Sequence, residues 1–187
     1  MTAIAEKAPT AGTRTSWKLD PTHTAVEFSA KHLMISTVKG RITDIEGTIY
    51  TDEKNPGNSS VEVTLKAASL DTRTEQRDQH LRSADFLDVE KYPEIKFRST
   101  RIEGEKDSFR LTGELTIRDV TKPITLDVEF EGSTRDPWGG ERVGFSAKGK
   151  IDRRDFGLTW NQALETGGVV VGNEIKISLE VEAIKVD

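Results

Sequence analysis

Apolar and polar residues alternate with a period of two along eight stretches of the chain, and the apolar set is almost free of charge. The stretch 109–118 is the clearest. Phe109, Leu111, Gly113, Leu115 and Ile117 fall on one side; Arg110, Thr112, Glu114, Thr116 and Arg118 fall on the other. Successive strand side chains point to opposite faces, so each stretch predicts a strand with one apolar and one water-facing side. Eight such strands with short connections predict an all-β fold, an antiparallel sheet closed around an apolar interior.

Strand one begins near Trp17 and resumes after Pro21, with Val26, Phe28 and Ala30 facing in. Strand two covers 37–51, and its apolar set changes parity between Ile42 and Ile45, which is what a β-bulge produces. Strand three carries Val61, Val63, Leu65 and Ala67 inward; strand four, 94–103, carries Ile95 and Phe97. Between them the pattern breaks. Thr72 followed by Glu75 fits a capping box and predicts a short helical insertion near 73–88. Strands six to eight place Ile124, Leu126, Val128 and Phe130, then Val143, Phe145, Ala147 and Ile151, then Ile175, Ile177, Leu179 and Val181 on the apolar side. A long loop or short helix near 153–172 joins the last two. The order is a meander forming one domain, 17–187, after a polar lead, residues 1–16, expected to be disordered.

Alternation alone does not say which face is inside, because a membrane barrel alternates too. Aromatic residues at 6% are too few for two interfacial girdles, and the polar face carries dense charge of both signs. No apolar run approaches the roughly 20 residues of a spanning helix, and none forms a signal-peptide core. The chain as written therefore reads as cytoplasmic, or periplasmic if an export signal was removed. No basic stripe offers itself to phosphates, which argues against nucleic acid, and the absence of cysteine excludes thiol chemistry. The inward small residues Gly113, Gly132, Gly149, Ala30, Ala67 and Ala147 either leave a void or let strands bend.

Candidate chemistry is sparse. His23 and His32 lie nine apart on one strand region and His80 lies in the insertion, without metal-ligand spacing, so neither a metal nor a cofactor is expected. Asp20 beside His23 resembles a base held by an acid, which leaves a small-molecule enzyme as one alternative. A stress-related binding module with a packed core is another. Arg77-Asp78 and Arg153-Arg154-Asp155 are either surface ion pairs or cations at a pocket mouth. An edge left open between the first and last strands would allow a homodimer.

Several segments in order resemble the YceI-like family. They are Trp17-Lys-Leu-Asp-Pro-Thr-His23 with Val26-Glu-Phe28 and His32, Arg77-Asp78-Gln79-His80-Leu81 with Asp85-Phe86, and Tyr92-Pro93-Glu94-Ile95-Lys96-Phe97. Gly113-Glu-Leu115-Thr-Ile117 leading into Thr121-Lys122-Pro123, and Arg154-Asp155-Phe156-Gly157, complete the set, which spans about 17–184. The chain has Phe86-Leu87 where the family pattern carries an aromatic pair.

The resemblance implies a lipocalin-like barrel that binds a long isoprenoid lipid, of polyprenyl phosphate or quinone type, as a non-catalytic carrier or sequestering protein. Many members are exported to the periplasm. The tail is then expected against Val26, Phe28, Val63, Leu65, Phe97, Leu115, Leu126, Phe130, Phe145 and Leu179. Phe86, Leu87, Phe156 and Trp160 are the expected entrance or lid, and His23, Arg77 and Arg154 the candidates for the head group. Roughly ten buried methylenes contribute about 8 kcal/mol, against an association cost of about 4–15 kcal/mol. Tail length should therefore set affinity.

Overall fold

The computed structural model describes residues 14–186, so the expected disordered lead lies, up to residue 13, outside the described residues. β1 (Arg14–Leu19) starts three residues earlier than the pattern indicated. It and β2 (Ala25–His32) are halves of one bent strand, and β3 (Ser36–Ile42) and β4 (Ile45–Asp52) are halves of the next. β1 pairs β4 with Trp17 opposite Ile49, while β2 pairs β3 with Val26 opposite Ile42. Leu19 to Val26 and Ile42 to Ile45 are both odd steps, so the two strands change inward parity at the same level. The expected bulge is thus a matched bend in both.

The chain continues through β5 (Ser60–Lys66), a short β6 (Leu70–Asp71), α1 (Glu75–Arg82), β7 (Glu94–Gly104), β8 (Ser108–Ile117), β9 (Val120–Arg135), β10 (Glu141–Asp152) and β11 (Glu174–Val186). Every pairing is antiparallel, and β11 returns to pair with both β1 and β2. Counting each bent pair once, and β6, which pairs β3 as β5 pairs β4, as the continuation of β5, this is a closed eight-stranded barrel with one short α-helix among the described residues. Closure removes the edge on which the expectation of a homodimer rested.

α1 differs from its expected start. Thr74 occupies the N-cap without a side-chain bond, and Thr72 instead turns its backbone N–H and hydroxyl to the buried carboxylate of Asp78. Arg82 ties the helix back by donating to Ala68 O and Leu70 O, both at 2.9 Å.

The interior divides into two halves. Toward the 136–140 turn it is filled: Trp17, Leu19, Ile45, Val143 and Ala183 are buried against Phe130 and Phe145. The Phe145 ring lies 5.4 Å from Phe130 and 6.5 Å from Phe109. Toward the other end, Ile42, Ile95, Leu115 and Ile117 form the wall, joined by Leu158 from the connection after β10, and Phe156 from the same connection packs against them. The inward glycines do not make the void. A Cβ on Gly113 would collide with the Phe97 ring and one on Gly149 with Leu126, while Gly132, at φ 133°, sits where the β9–β10 register slips.

A polar staple holds the first bend to the filled half. Arg142 on β10 donates to Asp20, Asp136 and Glu182, each at 2.8 Å, and His23 Nδ1 lies 2.8 Å from Asp20 Oδ2. The hydrogen bond with His23, then those with Thr22 and Arg142, hold the Asp20 carboxyl well below the usual carboxylate range. Asp20, then the charge of Glu182, raises His23 above its ordinary value.

A depressed Asp20 adds stability above its unfolded value near 3.8, and that contribution goes as pH falls through the folded value. A raised His23 adds stability below its unfolded value near 6.5, and that contribution goes as pH rises through the folded value. Denaturant midpoints against pH should show His23→Gln flattening the fall above pH 6.5 and shrinking the acid limb, which Thr22 and Arg142 would still sustain in part. Asp20→Asn should flatten both. Phe156→Ala, which empties a site only 1% exposed, should cost about 3–5 kcal/mol in chemical unfolding.

Candidate functional site: an apolar cavity and its charged rim

The unfilled half of the barrel is a cavity of about 670 Å³ that opens between α1, the β2–β3 turn and the 160–171 segment. That volume lies inside the roughly 300–1,000 Å³ range of small-molecule sites. Its wall comes from the inward positions of the strands that lead to this end, such as Phe28, Val38, Ile95, Ile117, Ile124 and Ile177. Eight of the ten expected lumen residues line it: Val26, Phe28, Val63, Leu65, Phe97, Leu115, Leu126 and Leu179. Phe130 and Phe145 do not; they belong to the aromatic packing that fills the far half. Alternation placed them on the correct face but gave no depth along the axis. A packed core, one of the alternatives, describes only that far half.

Of the expected entrance residues, Phe86, Leu87 and Trp160 line the cavity, whereas Phe156 is buried behind the wall and cannot act as a lid. Phe86 and Trp160 stand 5.5 Å apart, with the His80 ring edge-on to both at 5.1 and 4.6 Å. His80 Nε2 lies 3.0 Å from Asp85 Oδ2, which fixes the ring's outer edge.

The head-group candidates separate. Arg77 lines the mouth and donates to Thr72 Oγ1 and Thr72 O, both at 2.7 Å. His23 does not reach the cavity, because it is committed to the Arg142 staple. The His23–Asp20 pair therefore lies apart from this cavity. Ligand atoms of Asp20, His23 and Glu182 lie within 4.8 Å of one another, yet the Arg142 guanidinium already neutralises both carboxylates, so a metal would have to displace it.

Arg154 also lies off the cavity. It is exposed and paired with Asp152 at 2.6 Å, and that pairing holds the Asp152 carboxyl down at about 2. Its neighbour Arg153 takes the expected place. It is 2% exposed and lines the cavity. It donates to Gly172 O, Leu158 O, Trp160 O and Val171 O at 2.7–3.3 Å, and among the described residues no carboxylate forms an ion pair with it. Burial lowers its affinity for the proton. The signal was present in the sequence: carrying the inward parity of Val143 to Ile151 one step further selects 153, not 154.

Comparison with known proteins agrees with this geometry. Protein YceI of Salmonella newport is 41% identical over 163 residues, which cover 87% of this chain and 82% of that protein. The crystal structure of a Campylobacter jejuni YCEI protein matches at a TM-score of 0.72 and 36% identity, over 84% of this chain and 90% of that one. A polyisoprenoid binding domain from Saccharophagus degradans has the same fold at a TM-score of 0.65 and 12% identity, over 91% of this chain and 98% of that one. The family model described as a YceI-like domain matches residues 17–183, from the Trp17 that starts the filled half to the Ala183 that ends it. With the barrel, the cavity and that match in agreement, the chain belongs to the YceI-like family.

Proposed function

We propose that this protein is a non-catalytic carrier that encloses the tail of an isoprenoid lipid and meets an anionic head group, of phosphate type, at the mouth. One observation carries the choice of head group. The charged residues lining the cavity are Lys31, Arg77 and Arg153 against Glu27 alone, in a chain whose net charge is -5. Glu27 is itself paired with Arg41 at 2.8 Å, so the mouth remains cationic. A buried guanidinium without a carboxylate acts through a low-dielectric wall and attracts negative charge more strongly than it would in water. A quinone ring offers only carbonyl dipoles to the same field, so the rim favours a phosphate over a quinone.

The tail supplies the affinity. The wall is aliphatic and aromatic from floor to rim, so binding gains by area, at about 0.8 kcal/mol per buried methylene. The Saccharophagus degradans domain, whose description names polyisoprenoid binding, shares the barrel, which supports the ligand class.

Leu115→Trp should fill the space beside Phe97 and abolish binding of a polyprenyl phosphate. Because the indole enters a void, the melting temperature should hold rather than fall by the equivalent of the about 1–3 kcal/mol that overpacking costs. Native mass spectrometry before and after delipidation, with thermal melts, checks both. Arg77→Gln should weaken binding of a polyprenyl phosphate by about 10- to 100-fold, the size of a lost charge-assisted hydrogen bond. It should leave the matching polyprenol unchanged, as titration calorimetry would read.

A further inference from the structure

The turn joining β2 to β3 is built against its own preferences. Ile35 donates its backbone N–H to His32 O at 3.1 Å, and between them Leu33 has φ 51° and Met34 φ 66°. Two successive left-handed residues mark a primed hairpin turn, where Asn-Gly is the low-strain choice because a Cβ crowds the following carbonyl. Here the two positions hold large apolar side chains, and Ile35 follows. Their exposures are 37%, 56% and 83% for Leu33, Met34 and Ile35. Packing does not explain apolar side chains held in solvent at a conformational cost.

The location supplies a reason. Leu33 donates its N–H to Val170 O at 2.9 Å, and His32 bridges Val171, so the tip is fastened to the segment that forms one lip of the cavity. His32, Val170 and Val171 line the cavity itself. The apolar tip thus stands directly beside the lip of the cavity. Among the described residues the other exposed large apolar side chains are Trp138, at 85% in the β9–β10 turn at the filled end, and Val186, at 48% at the end of β11. Lys31 and Lys39 flank the tip on β2 and β3.

We infer that the Leu33–Ile35 tip seats the mouth of the barrel on a lipid bilayer. This rests on the lipid-carrying role proposed for the cavity. A polyprenyl tail crossing open water would expose every methylene it later buries; a mouth pressed to the bilayer shortens that exposure. Short apolar insertion combined with nearby basic residues is how proteins attach reversibly to membrane interfaces. A carrier needs that reversibility, since it must leave with its cargo.

The test uses the full chain and vesicles of phosphatidylcholine containing phosphatidylglycerol, read by flotation. The wild-type protein should float with the vesicles, and Ile35→Asp should float about tenfold less, the effect of losing one inserted apolar side chain. Trp138→Ser should match the wild type. Replacing Leu33 and Met34 by Asn and Gly should raise the melting temperature while lowering flotation, a pair of shifts opposite to those of a folding element. Equal flotation of Ile35→Asp and wild type, or none by either, overturns the inference. So does a dimer that Ile35→Asp dissociates, which would assign the tip to a second copy. A fluorescent polyprenyl phosphate presented in detergent tests the cavity separately: its binding should be unchanged by the tip variants, and its failure to bind the wild type would overturn the carrier reading instead.

Discussion

A sheet closed on itself fixes its own width. Once β11 pairs with β1 and β2, the separation of opposite walls depends on strand number and tilt and not on what the side chains can fill. The interior positions then divide by reach. Near the 136–140 end, Trp17, Phe130 and Phe145 extend to the axis and meet one another. Near the other end most positions are Val, Ile and Leu, which cover the wall and stop short of the centre. The wall cannot move inward to compensate without breaking its ladders of backbone hydrogen bonds, each expensive to leave unmade. A cavity follows from the same closure that stabilises the fold.

The mouth is held open by two buried charges of opposite sign. Asp78, at 3% exposure, accepts from the backbone and hydroxyl of Thr72 and so anchors α1 to the chain leaving β6. Arg153 gathers the carbonyls of Leu158, Trp160, Val171 and Gly172, which folds the long connection into a lip. Neither has a charged partner of its own among the described residues. Both are satisfied by neutral dipoles, which fix geometry while leaving the sign of the charge unspent. At Arg153 the result is a positive field beside an apolar wall.

Much of this was legible in the sequence because a period of two is a strong signal in a closed sheet. The strands, their inward faces, the bend between Ile42 and Ile45 and the helical insertion all follow from residues a few positions apart. Eight of ten lumen positions came from parity alone. The errors share one cause. Phe130 and Phe145 have the right parity but the wrong height; Phe156 has an apolar neighbourhood but lies behind the wall; His23 and Arg154 are charged residues already paired with Arg142's carboxylates and Asp152. Thr72 looked like a cap and became the partner of Asp78.

The sequence by itself determined the class of fold, the inward and outward faces of each strand, and the apolar character of the interior, because alternation is local and each strand reports it independently. Only the tertiary structure decided which half of the barrel is hollow, which arginines line it, and which exposed residues stand at its mouth. Height along the axis and the pairing of charges depend on residues more than a hundred positions apart, as with Asp20 and Arg142. No short-range pattern carries that distance.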